Sequence, residues 1–529
     1  MGDCRVDGPN APRVRSAEEM VGRFQAELIS ALPGWRERLK ADPARMSELE
    51  REVQAAFARG ADLLMVGLVA VTMQAPEFAA ACEQTRQGFS YPLAPGRSRE
   101  IRVRLLGGLV MWVTSLYCAA RSAGGLSEGE KRPGAYVELA QFGFGKGCTP
   151  GLQSKVARQA ALCPSLQFAQ QELNRDGVTL DVKTVRRITQ QCGEGLLRLR
   201  THELRLWRDG QLPAGKELAG KRVSVQLDGG RTRIRGDMRE TSPAPEATDA
   251  DGLVCQDAPG RSRKRPRRTF DADWREPKLL TIFIHDEHGR MVKHSQAMVD
   301  GTFLGPDALA ELVAMHLHRL GAAKALSLTF VADGGVWIWD RIPEIVRLAK
   351  LEGVPRHEVL DCCHAAHHIS LALAAMGHGE QIRLPLYRLH RTLLRNGQWR
   401  QVVTELTDLA EDAAEGSKVW TEIAYLRKHG EAGRLKYPTF RGLGLPLGSG
   451  AIESNIRRVV NLRLKGNAIY WRENMAEAML HIRAQVLTNR WDERMDELRK
   501  LRATDSRTPW RWTPQDLSPK VERAPASSA

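Results

Sequence analysis

Three acidic residues stand out by what lies beside them. Asp228 closes a short apolar alternation (Val223, Val225, Leu227) and is followed by Gly229-Gly230. Asp333 ends the run ALSLTFVAD and is followed by Gly334-Gly335. Glu453 falls in the first turn of a helix opened by Gly448, Ser449 and Gly450. Singly, each has a plain alternative: an aspartate before Gly-Gly serves a turn, and a first-turn glutamate serves the helix dipole. Together they carry chemistry. Three carboxylates brought to one place repel unless cations lie between them, and hard oxygen donors select Mg²⁺ or Mn²⁺. Two such ions about 3.5–4 Å apart are the known arrangement for in-line phosphoryl transfer. The glycines beside each aspartate are expected to leave room for a phosphate backbone.

The elements that must position these acids follow a mixed α/β order. KRVSVQLDGG is the first strand, and KLLTIFIHDEHGRMVKHSQAMVDGTF reads as two strands joined by a turn at Glu287–Gly289. PDALAELVAMHLHRLG is a helix begun by Pro306-Asp307. The strand ending at Asp333 follows, then the helix IPEIVRLAKLEG, and RHEVLDCCHAAHHISLALAAMG runs from strand into helix. Two insertions interrupt the order. Residues 380–445 read as helical. Residues 237–277 read as flexible: Pro/Ala/Asp-rich at first, then basic from Arg261 to Arg268, a run that either meets phosphate or is simply solvated.

Arginines cluster near the acids. Arg231, Arg233 and Arg235 alternate after Asp228 and would share one strand face. Arg457 lies one helical turn from Glu453, with Arg458, Arg463 and Lys465 nearby. Contact with phosphates is one reading, and salt bridging or solvation the alternative. Trp337 and Trp339 read as core or hairpin-edge aromatics.

Upstream, residues 17–85 show helical spacing, and REIRVRLLGGLVMWVTSLYC reads as a β-hairpin turning at Gly107-Gly108. From Leu152 to about Arg200 come three helices, the third capped by Asp181 and exposing Lys183, Arg186 and Arg187. Helix, glycine turn and basic helix fit a helix-turn-helix; an ordinary helical hairpin with a solvated basic face is the alternative. The organisation expected is a helical region over 1–95, a hairpin and helix-turn-helix-like region over 96–220, a catalytic domain over 221–495 and a tail over 496–529.

Composition narrows the class. The 529 residues give a prior of about three to four domains. Apolar residues make up 42% and charged residues 27%, a globular balance. The net charge of +15 is compatible with a polyanionic partner and equally with an ordinary basic enzyme. Aromatics at 6% argue against base stacking as a chain-wide theme. Nine cysteines without a CxxC argue against a disulfide scaffold or a zinc ribbon and fit a reducing cytoplasm. The polar N-terminus shows no secretory signal. The longest uncharged apolar run, Leu63–Ala75, falls short of the roughly 18 residues that span a bilayer, so it reads as a core helix and no membrane partner is expected.

The chain resembles the DDE transposases of bacterial insertion sequences, of the Kra type, with Mutator-like elements as more distant relatives. The resemblance rests on LDGGRTRIR, EPKLLTIF, FVADGGVWIW, VLDCCHAAHH, GSGAIESNIRRVVNLRLKG and AMLHIRAQVLTNRWDE, spread from about Gly143 to Glu493. It implies an RNase H-like mixed sheet with flanking helices, with Asp228, Asp333 and Glu453 as the metal-binding catalytic triad. It also implies two Mg²⁺ or Mn²⁺ ions. The family's Asp-x-x-His falls on Asp361, Cys362, Cys363 and His364, which puts Asp361 or His364 near the scissile phosphate or leaving group. His367 and His368 read as structural, and the two cysteines as buried small apolar residues. Relatives often carry a CxxC-type pair after the N-terminal hairpin, and Cys118 has no such partner. The function implied is binding of an element's terminal inverted repeats, DNA cleavage and strand transfer, by a cytoplasmic, nucleoid-associated homo-oligomer, since synapsis of two ends calls for at least a dimer. A hydrolytic nuclease with the same metal site and a non-catalytic DNA-binding regulator are the alternatives.

Overall fold

The computed structural model describes residues 2–89, 93–120, 134–240, 268–467 and 469–504. The N-terminal part comprises β1 (Asp3–Val6), α1 (Ala17–Ala41), α2 (Met46–Gln74), α3 (Pro76–Gln87), β2 (Leu93–Arg104), β3 (Val110–Ala120), β4 (Ala135–Tyr136) and α4 (Val137–Gln141). β2 and β3 form the expected antiparallel hairpin, and Gly108 takes φ +98° in its turn. β1 and β4 line the other edge of β3. Four residues, DCRV, are too few to show an alternation, which is why β1 is invisible in the sequence.

Met20, Leu63, Val66, Val69 and Met73 pack on Val103, Met111 and Val113 in a single core. Buried Asp62 accepts the backbone N–H of Gly107 and Leu109 and fastens α2 to the hairpin turn. Two expectations change here. The division at 95/96 cuts through one shared core. The Leu63–Ala75 run is core on one side only, because Leu64, Met65, Leu68 and Val71 face solvent.

Next come α5 (Pro150–Leu162), α6 (Leu166–Arg175) and α7 (Val182–Arg208). The Asp181 carboxylate caps α7 by accepting Thr184 N–H at 2.9 Å. α7 does not stop near Arg200. It continues to Arg208, and one face of its second half is buried. Leu152, Val156, Ile188 and Leu196 share a core with Ile452, Val460, Met479 and Leu480. The expected division at 220/221 between a recognition region and a catalytic region is therefore not a break in packing.

The main sheet holds β5 (Arg222–Gly229), β8 (Lys278–His285), β9 (Met298–Thr302), β10 (Ser327–Ala332) and β11 (Arg356–Leu360), in the order β11-β10-β5-β8-β9. β10 runs parallel to both β5 and β11. β8 runs antiparallel to both β5 and β9. The chain is thus mixed α/β, with a mixed sheet. KLLTIFIH is apolar at both parities and sits inside this sheet, covered on both faces. Leu280 and Ile282 belong to one core with residues of α8 (Pro306–Leu320) and α11 (Cys362–Ala375), while Leu279 belongs to the other, with residues of α7, α16 (Gly450–Asn455) and α17 (Glu473–Leu487).

Between β5 and β8, β6 (Thr232–Glu240) and β7 (Arg268–Arg275) pair as an antiparallel ribbon. The 237–277 segment is therefore not one flexible loop, since both its ends are strand. The low-apolar composition hid them: the ribbon lies outside the main sheet and has little to bury. The basic run beginning at Arg261 lies outside the described residues except for Arg268, which opens β7. After β10 come α9 (Val336–Trp339) and α10 (Ile342–Leu348). Residues 380–445 fold as α12 (Glu380–Arg395), α13 (Trp399–Leu409), α14 (Lys418–Glu431) and α15 (Tyr437–Gly442). α18 (Trp491–Thr504) runs past the expected start of the tail at 496, and residues 505–529 lie outside the described ones.

Candidate functional site

β5 and β10 are neighbours and parallel, so Asp228 and Asp333 come out at the same end of adjacent strands. Burial pushes the Asp228 carboxyl up to about 6, helped by the negative charge of Asp333 and, more weakly, of Glu453. The Gly229 N–H, which Asp228 accepts at 2.6 Å, and the nearby His364 pull the other way. Acids far apart in the chain thus share one electrostatic neighbourhood. Among the described residues, no lysine or arginine forms an ion pair with Asp228, Asp333 or Glu453.

Glu453 is carried by a helix of only six residues, and three buried polar side chains fix it. Gln226, two residues before Asp228 and on its face of β5, accepts Ile452 N–H at 3.0 Å and donates to Gly448 C=O at 3.2 Å. Asn455 donates to Thr281 Oγ1 of β8 at 3.0 Å. Asp361, at the end of β11, accepts Ser449 N–H at 2.5 Å and lies 2.7 Å from the Ser449 hydroxyl. That hydroxyl also lies 2.9 Å from Glu453 Oε1. It has one proton and so donates to one carboxylate at a time.

Asp361 is also the N-cap of α11, accepting N–H from Cys363 at 2.7 Å and His364 at 2.9 Å. Burial opposes its charge. The hydrogen bonds from His364 and Ser449 overcome this and hold the carboxyl far below the ordinary range. His364 Nδ1 lies 3.5 Å from Asp361 and 3.8 Å from Glu453. The Asp361 contact is the main reason the imidazole is biased toward its protonated form. Ligand atoms of Asp361, His364 and Glu453 all fall within 4.8 Å of one another, so by spacing this cluster could hold a metal ion. Both Asp361 oxygens are already engaged by hydrogen-bond donors, which leaves Glu453 and His364 as the freer ligands.

Two sequence expectations about small residues change. The glycines beside the aspartates do not open space. A Cβ on Gly229 would meet Glu276 Oε1 at 1.9 Å, and one on Gly334 would meet the Tyr425 hydroxyl at 2.1 Å. Gly334 also takes φ +97°. Tyr425 of α14 donates to the Asp333 C=O at 2.6 Å and stacks on His368, which pairs with Glu422. His368 is thus structural, and the helical insertion reaches the acid site. Cys362 and Cys363 stand in the first turn of α11, not on a strand, and Cys363 is exposed.

The expected DNA contacts divide. Lys183, Arg186 and Arg187 are exposed on the first two turns of α7. Arg231, Arg457, Arg458 and Lys465 are also exposed, and Arg458 donates to Leu487 C=O at 3.2 Å. Arg233 is half-buried, its guanidinium over the rings of Trp274 (4.8 Å) and Tyr470 (5.7 Å), and Arg235 lies over Phe270 at 5.5 Å. Arg463 is buried over Trp471, so it is not available to phosphate. Trp339 is core, under Arg434, and half-buried Trp337 packs beneath the Lys278 ammonium at 4.1 Å.

Sequence reasoning missed Gln226, Asn455 and Tyr425. Only Gln226 leaves a signal, as an amide set between the apolar Val225 and Leu227 in a short strand. No family model, curated protein or solved structure matches the chain.

Proposed function

We propose that the chain is a DDE-type DNA transposase of a bacterial insertion sequence, with an RNase H-like catalytic sheet that holds two Mg²⁺ or Mn²⁺ ions on Asp228, Asp333 and Glu453. One observation carries this reading: the carboxyl of Asp228, at the end of β5, feels the negative charge of Asp333 beside it at the end of β10 and, more weakly, that of Glu453 on α16, and among the described residues no lysine or arginine pairs with any of the three. A five-stranded mixed sheet with an antiparallel second strand and helices on both faces supports the finer fold. When bound, the ions supply Lewis-acid stabilisation to the attacking and leaving oxygens.

The reaction has two balanced displacements. Water attacks a phosphodiester at the element end, and the 3′-oxygen leaves as a hydroxyl. That hydroxyl then attacks a target phosphodiester, joining element to target and releasing the target's 3′-hydroxyl. His364, whose protonated form the Asp361 contact favours, stands 3.8 Å from Glu453 as a donor to a leaving 3′-oxygen. Arg231, Arg457, Arg458 and Lys465 supply phosphate contacts near the acids, and Lys183, Arg186 and Arg187 supply them for the inverted repeats. Since α7 carries the latter trio and packs one face into the core beyond it, end recognition is referred to the sheet.

The test is cleavage and joining of a duplex bearing the element's end. Asp228→Asn, Asp333→Asn and Glu453→Gln should each abolish Mg²⁺-dependent cleavage and leave duplex binding intact, since none removes a phosphate contact. Full cleavage by any one of them refutes its assignment. A pre-cut end that is never joined to target would make the chain a nuclease. Duplex binding with neither cleavage nor metal binding would make it a regulator.

A further inference from the structure

Helix α2 has two apolar sides, and only one is used. Val66, Val69, Ala70 and Met73 fill the N-terminal core. Phe57, Leu64, Leu68 and Val71 are 56, 40, 46 and 45% exposed. With exposed Ala61 they recur at 57, 61, 64, 68 and 71, the alternating four-and-three spacing of a helix seam. At 100° per residue these positions fall within an arc of about 80°, along roughly 21 Å of helix. The stripe is also free of charge. From Ala61 to Ala75 the only ionisable side chain is Asp62, which is turned inward onto the hairpin turn.

We infer that this stripe seats a second copy of the same chain, α2 against α2 about a two-fold axis near Leu64. The spacing fits another helix better than a flat surface, because side chains at a heptad repeat enter the holes of a facing helix. The face is also complementary to itself. An antiparallel pair centred on Leu64 sets Phe57 against Val71 and brings large Leu68 within one residue of small Ala61, and no charge meets its like. A membrane surface is the other occupant such a face allows. Interfacial helices, however, flank their apolar stripe with several lysines and arginines, whereas from Phe57 to Gln74 α2 has one arginine, Arg59, which is paired with Glu27 at 2.9 Å. Two helices meeting over this length bury less than the roughly 800 Å² per partner of a standard interface. The association is therefore reversible and concentration-dependent. It makes no use of the acid site and stands or falls apart from the proposed chemistry.

Sedimentation velocity of the full chain, without DNA, tests it. The expected result is a shift from the 58.9 kDa monomer toward a dimer as concentration rises. The pair Leu64→Glu/Leu68→Glu should stay monomeric at every concentration and melt where the parent melts, since both side chains lie outside the core. If that pair melts early, Ala61→Arg gives the same reading with a single exposed change. A parent that stays monomeric throughout overturns the inference, as does a folded variant that dimerises like the parent. A monomeric parent that floats with phosphatidylserine vesicles, while the variant does not, overturns it in favour of the membrane.

Discussion

The main sheet holds two clusters of acids, and they answer the same electrostatic problem in opposite ways. At the β9 edge, Asp300 is fully buried. It accepts from Arg200 at 2.9 Å and contacts His316 at 3.0 Å and His481 at 2.9 Å, while Arg200 reaches on to Glu477 at 2.6 Å. Burial alone would raise the Asp300 carboxyl, yet Arg200 and His481 hold it well below its ordinary range. At the β5–β10 end, Asp228 has Asp333 and Glu453 for company, and its carboxyl is pushed up to about 6. One cluster carries its own cation, Arg200. The other is balanced only by partial exposure and by His364. An uncompensated carboxylate group in a partly buried place is where an external cation gains most, and that difference, more than the presence of acids, is the reason for proposing the β5–β10 end as the functional one.

Substitutions at the two clusters should move stability in opposite directions. The largest effect is expected from Arg200→Met, which strands Asp300 and Glu477 in the core and should cost about 3–5 kcal/mol in urea unfolding. A cost within error would mean the β9 cluster does not depend on its arginine. Asp228→Asn should do the reverse and stabilise the metal-free chain, by at most about 3 kcal/mol before allowing for its partial exposure. The pH dependence sharpens this. The folded pKa of Asp228 is raised, so its favourable contribution is complete below the unfolded value of 3.8 and is lost as pH rises through about 6. The stability difference between parent and Asp228→Asn should therefore open between pH 4 and 6, and equal profiles across that window would contradict it.

Gly334→Ala should cost about 1–3 kcal/mol, because a side chain is strained at this φ and must displace the Tyr425 hydroxyl. Loss of cleavage should exceed what that cost explains, since Asp333 moves with its neighbour. Smallest in stability is Gln226→Ala, about 1–2 kcal/mol for two hydrogen bonds. It should slow cleavage while leaving duplex binding unchanged. Unaltered cleavage would mean that α16 is held without it.

The sequence made the acids legible because strand ends and glycines punctuate them, and the strands legible because KLLTIFIH and SLTFVA are apolar. What it hid has physical causes. β1 is too short to show a period, and the ribbon strands have no core to face. The Arg200–Asp300–Glu477 cluster joins three elements far apart in the chain, so nothing local distinguishes Arg200 from the surface arginines of α7. Glycine beside an aspartate reads as open space, yet at Gly334 that space is filled by a tyrosine from an insertion more than ninety residues downstream.

The most direct test is Mn²⁺ binding to the full chain, followed by electron paramagnetic resonance at neutral pH. Saturable binding by the parent, weakened at least tenfold by Asp228→Asn and by Glu453→Gln but unaffected by Arg458→Ala, is the expected result. Equal Mn²⁺ affinity in the parent and both carboxylate variants would show that these acids do not share a cation, and the proposed chemistry would fall with them.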